Sequence, residues 1–187
     1  MNKILIFKED NLNLKKTISI LILVMITSGV FGFIYETIFY KIDLGYFVKR
    51  GSTFGPWIPI YAFGGLLITL FTYNLRKSPV LVFIINCLVT GILEFLTGYI
   101  LLKLCSIRLW DYNTEIWNYG NIGGFICLRS VLFFGISSLL LIYLIVPLLK
   151  SFAVKTIYGS IMYPTYSLLI TKFFQWINFD IEKTVSI

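Results

Sequence analysis

The long apolar runs of this chain constrain its fold more than anything else in it. From Thr17 to Tyr40 a stretch of 24 residues carries a single charged side chain, Glu36. As a helix rising 1.5 Å per residue it reaches about 36 Å, more than the roughly 30 Å hydrocarbon core of a bilayer. It is too long for a signal-peptide core, and no small-residue cleavage site follows it. It therefore reads as a retained first membrane helix. Comparable runs recur at about 57–75, 79–105, 122–149 and 154–177. The pattern predicts an all-α polytopic membrane protein, a bundle of about five transmembrane helices forming one domain over 17–178. A polar segment, 1–16, precedes it and a short tail, 179–187, follows. The last run holds Gly159, Pro164 and Lys172, so an interfacial helix is the alternative for that segment.

Composition supports this reading. The chain is 58% hydrophobic and 13% charged, where soluble domains hold roughly 45–50% and 25%. Its formal charge of +7 sits mostly at the ends of apolar runs, where Lys and Arg anchor helices at the headgroups. Nucleic-acid binding is not indicated. Lys3, Lys8, Lys15 and Lys16 tip the positive-inside count toward a multi-pass protein of the cell membrane with its N-terminus inside. If the first three runs all span, the linkers Lys41–Pro56 and Ser106–Asn121 lie on one face.

Several chemistries are excluded. There is no histidine, so a Ser–His mechanism is impossible. No GxxxxGK[ST] motif is present, so any ATP hydrolysis belongs to a partner. Neither HExxH nor GxSxG occurs. Cys87, Cys105 and Cys127 form no CxxC pair and read as small core residues. No cofactor, metal site or catalytic residue is indicated.

Three ionisable residues sit inside apolar runs: Glu36, Glu94 and Arg129. Each would cost about 2.5–3.5 kcal/mol or more facing lipid at a helix centre, so such residues turn inward and pair. All three fall in the membrane half nearest the two longest linkers. Glu94 shares a helix face with Cys87, Thr90, Gly91, Thr97 and Gly98, and Glu36 shares one with Gly29, Gly32 and Tyr40. Small residues there let a neighbouring helix approach closely. Two readings stand: an ion pair that holds the bundle together, or a polar cavity for a substrate or ion. Glu36 and Arg129 are the candidate bracing pair, and Glu94 a ligand contact.

The linkers supply the other candidates. Arg50 opens a rigid Arg-Gly…Gly-Pro…Pro stretch and suits an anionic group such as phosphate or carboxylate, or a headgroup anchor. In the second linker Trp110, Asp111 and Tyr112 read either as an aromatic belt or as aromatics beside a carboxylate able to meet a cation. Asp111 is expected to pair with Arg50 or Arg108.

These segments carry a resemblance. Gly32-Phe33-Ile34-Tyr35-Glu36, Arg50-Gly51, Gly55-Pro56 and Pro59-Ile60-Tyr61 resemble the first signature of the type IV ABC-transporter membrane proteins, the CmpB-like family. Glu94-Phe95-Leu96-Thr97-Gly98, Trp110-Asp111-Tyr112, Asn121 through Gly124, and Cys127-Leu128-Arg129 resemble the second. Ala62, Asn113 and Phe134 depart from the expected Gly, Ser or Thr, and Trp. The resemblance implies a permease-like or substrate-binding membrane subunit, with a separate ATPase, other membrane subunits or a second copy of the chain as partners besides lipid. The alternatives are an intramembrane enzyme acting on a lipid or isoprenoid headgroup, and a non-catalytic scaffold.

Overall fold

The structure, a computed structural model, describes Phe7, Leu12 and residues 14–48, 50–51 and 55–151. Its regular elements among the described residues are helices: α1 Leu14–Leu44, α2 Pro59–Thr72, α3 Pro79–Cys105 and α4 Leu128–Leu140. A 3-10 turn extends α2 to Leu75, and a π turn at Leu141–Ile145 carries α4 on to Ser151. Among the described residues the only strand-like pairing is an isolated Ile122–Ile126 bridge. Among the described residues three helices are long and apolar enough to cross a membrane: Leu14–Leu44, Pro79–Cys105 and Leu128–Ser151. The second run, Pro59–Leu75, is a shorter apolar helix. The expected fifth helix, 154–177, lies outside the described residues, which hold three long helices and one short one.

Local chemistry sets the ends of these elements. Pro59 and Pro79 stand in the first turns of α2 and α3, where a missing N–H costs nothing. α1 ends at Gly45, whose φ of +80 lets its N–H return to the Lys41 carbonyl at 3.1 Å. α4 begins at Leu128, six residues after the start expected from hydropathy. The intervening apolar residues belong to a tight turn closed by the bridge, with Gly123 and Gly124 at positive φ. A reciprocal cap between Cys127 and Ser130 then starts the helix.

Glycines set how closely the helices pack. A side chain on Gly29 would strike the Trp57 indole, and one on Gly32 the Tyr61 ring. α1 thus presses directly onto the first turn of α2 and the segment before it. On α3, Gly98 receives Phe125 and Trp110, and on α4, Gly135 receives Phe83 and Cys87. This is small-residue packing, suited to a lipid environment where apolar side chains gain little by leaving the acyl chains. At the end away from the linkers, Ile20, Val24, Ile68, Val82, Ile142 and Val146 form a closed apolar core. Beside it Asn86 donates to Thr72 at 3.1 Å, tying α3 to the end of α2. Outward-facing Ile38, Leu88, Ile92, Leu104, Ile136 and Leu148 are each more than half exposed, as a lipid-facing surface requires.

Candidate functional site

Both linkers fold back onto the same end of the bundle. The segment after α1 returns Arg50 to Glu36, fourteen positions earlier, at 2.9 Å between Nε and Oε2. The Arg50 guanidinium also lies 3.7 Å from the centre of the Tyr40 ring. The linker before α4 sends Glu115 inward. Its carboxylate takes hydrogen bonds from the Tyr40 hydroxyl and from Arg129 Nη2. The next residue, Ile116, donates its N–H to Asp43 at 3.0 Å. Arg129 lies 3.9 Å over the Phe39 ring, and its Nε is buried without a partner among the described residues.

Glu94 stands deeper. Eleven residues separate it from the linker end of α3, about 16 Å along the axis. It is 4% exposed. Tyr112 donates to one carboxylate oxygen and Ser130 to the other, the latter at 2.8 Å. Burial, and next the charge of Glu94, push the Tyr112 hydroxyl well above the usual tyrosine range, which keeps it a donor.

These groups surround a chamber of about 30 Å³ lined by Glu36, Glu94, Glu115 and Arg129 among aromatic rings. That is room for a water or two. Next to it lies a vestibule of about 500 Å³ between α2, α3 and both linkers, with Arg50, Arg108 and Thr97 on its walls. Glu36, Ile60 and Trp110 belong to both walls and so divide the two spaces. Trp110 is fixed there by its indole N–H, which donates to the Phe125 carbonyl at 3.0 Å. Among the described residues, the two terminal amino groups of Arg50 have no bonded partner.

The expected residues are thus brought together, and Asp111 meets Arg108 as expected, but the expected Glu36–Arg129 pair does not form. Glu36 does not meet Arg129. Each has its own partner, Arg50 and Glu115 respectively, because both linkers tuck a charge inward and each claims the nearer helix residue. Asp111 lies on neither cavity wall. It pairs with Arg108 at 3.0 Å and accepts from the Asn113 N–H and side-chain amide at 3.0 and 2.7 Å, closing the linker turn. Glu115, Ser130 and Tyr61 were not candidates from the sequence. Glu115 sits in a stretch rich in Trp, Tyr, Asn and Gly that reads as exposed surface, and nothing local marks it as 7% exposed.

Fold and site define an all-helical membrane protein with ionised side chains gathered beneath one face. A family model described as "Putative ABC-transporter type IV" matches residues 22–184. The chain belongs to that family, as the motif resemblance predicted. No curated protein and no solved structure matches it.

Proposed function

We propose that this chain is a substrate-capturing membrane subunit of a multicomponent transporter whose ATPase is a separate protein. The observation that carries this reading is the two-chamber arrangement. Three carboxylates and the Arg129 guanidinium converge on a small buried space that adjoins a vestibule of about 500 Å³ walled by Arg50 and Arg108, the size range of small-molecule sites. Substrate enters the vestibule, meets the terminal amino groups of Arg50 and the Trp110 side chain, and is held away from lipid. Tyr112 and Glu94 stand behind that wall and Asp111 stabilises the linker. Family membership supports the ABC-type reading, and a chain that carries no P-loop of its own fits a separate ATPase.

Affinity purification of the tagged chain from its native membrane tests this. The expected result is a P-loop ATPase recovered at fixed stoichiometry, and an Arg50→Lys variant that keeps the complex while losing substrate transport. Recovery of a stable complex with a membrane protein and no ATPase would replace the transporter reading with that of a scaffold.

A further inference from the structure

We infer that Glu94 is a proton-binding site that takes up and releases one proton as the Ser130 hydroxyl turns. This goes beyond the transporter reading and stands on the chamber alone.

Charge balance comes first. Of the three carboxylates on the chamber wall, Glu36 is bonded to Arg50 and Glu115 to Arg129. Glu94 has no bonded cation among the described residues; its partners are two hydroxyls. A carboxylate so buried without a counter-charge is costly to hold as an ion, and one proton removes that cost. The ionisable groups that line the chamber with it are Tyr35, Glu36 and Tyr40 from α1, Tyr61 from α2, Arg129 from α4, and Tyr112 and Glu115 from the linker. Both neighbouring carboxylates keep their guanidiniums, so Glu94 is the acid left to change state.

Hydrogen counting comes second. Ser130 Oγ lies 2.8 Å from Glu94 Oε2 and 2.9 Å from the Cys127 carbonyl, and it accepts the Cys127 N–H at 3.3 Å. A hydroxyl has one hydrogen to give. Directed at Glu94, that hydrogen serves a carboxylate, and the Cys127 carbonyl relies on the Val131 N–H at 3.2 Å. Directed at the Cys127 carbonyl, it leaves Ser130 Oγ as an acceptor, and the hydrogen between the two residues is then the proton of Glu94. The two arrangements differ by one proton and one hydroxyl rotation, with Tyr112 donating to the other carboxylate oxygen in both. The chamber, about 30 Å³, admits water and protons and excludes organic molecules. Water in the vestibule, across the Glu36–Ile60–Trp110 wall, is the proton's source and sink.

Infrared titration of the full chain in lipid vesicles tests the proposal. The expected spectrum has a carbonyl stretch of a protonated carboxylic acid at acidic pH that converts to carboxylate bands on titration. Glu94→Gln abolishes that band while leaving the melting temperature close to the wild type. Ser130→Ala moves the midpoint about one unit toward higher pH, a tenfold change in proton affinity, because the bond lost to the carboxylate is stronger than the bond lost to the acid. The Ser130→Ala shift decides the matter if Glu94→Gln does not fold. A band that persists unchanged in Glu94→Gln, no such band at any pH where the protein is folded, or an unmoved Ser130→Ala midpoint overturns it. Recovery of an ATPase partner is unaffected by any of these outcomes, so the two readings fail separately.

Discussion

Replacing Glu115 by Ala should destabilise this protein more than any other single change in the linkers. The side chains of Glu115 and Arg129 are 5% and 16% exposed. Removing one member of a buried pair leaves the other uncompensated, at a cost of about 3–5 kcal/mol. The Phe39 ring, 3.9 Å from the guanidinium, remains to offset about 1 kcal/mol of that. Tyr40 meanwhile loses the acceptor of its hydroxyl, which costs about 1 kcal/mol in turn. The net is about 3–5 kcal/mol. At about 2–4 °C per kcal/mol for a chain of this length, the melting temperature falls by some ~6–20 °C. With Cys87 and Cys105, the less buried free thiols, replaced by Ala, a thiol-reactive dye suits the measurement, because Cys127 is 1% exposed and becomes labelled only on unfolding. The double variant Glu115→Leu/Arg129→Met should recover most of the loss, since apolar residues of similar size often match a buried pair. A Glu115→Ala protein melting within about 1 °C of the wild type, or a double variant no better than the single one, would refute the reasoning.

Other outcomes follow from the same geometry. Gly29→Leu drives a side chain into the Trp57 indole; overpacking of about 1–3 kcal/mol or more should appear as a lower melting temperature and altered tryptophan emission. Gly124→Ala meets both a φ of +79 and a collision with Arg108, Asp111 and Asn113, so a loss of about 1–3 kcal/mol is expected with membrane insertion intact. Tyr112 should make the protein alkali-sensitive. Its folded pKa lies above the ordinary 10.0, so its contribution is full below that value and declines as pH rises through the folded one. Tyr112→Phe should flatten that alkaline limb in a melting series, while costing about 1–3 kcal/mol near neutrality because Glu94 loses a donor.

The sequence makes α3 legible almost to the residue, because Pro79 opens it, Lys103 lies in its last turn and the apolar run between is unbroken. Hydropathy places the start of α4 too early. Ile122 and Ile126 look like helix in a hydropathy profile, yet they pair with each other across a turn at 3.0 Å. That turn depends on positive φ at Gly123 and Gly124, which hydropathy does not register. Glu36, Glu94 and Arg129 announced themselves as ions in apolar runs, and Arg50 as the charge of a rigid turn. Their pairing was not legible, since it depends on how far each linker folds back. Glu115 was invisible for the same reason: its bond to Tyr40 spans 75 positions, and no local pattern encodes a contact at that separation.

The closed apolar core beneath Glu94 has a consequence for any cargo. Ile20, Val24, Ile68, Val82 and Ile142 meet there with at most 4% of their surface open, and among the described residues no charged side chain is buried at that level. Under the transport role proposed above, a hydrophilic passenger held in the vestibule faces a stopper beyond Glu94. Its onward route has to run along the seam between this polypeptide and another membrane protein, or else wait until the helices below part company.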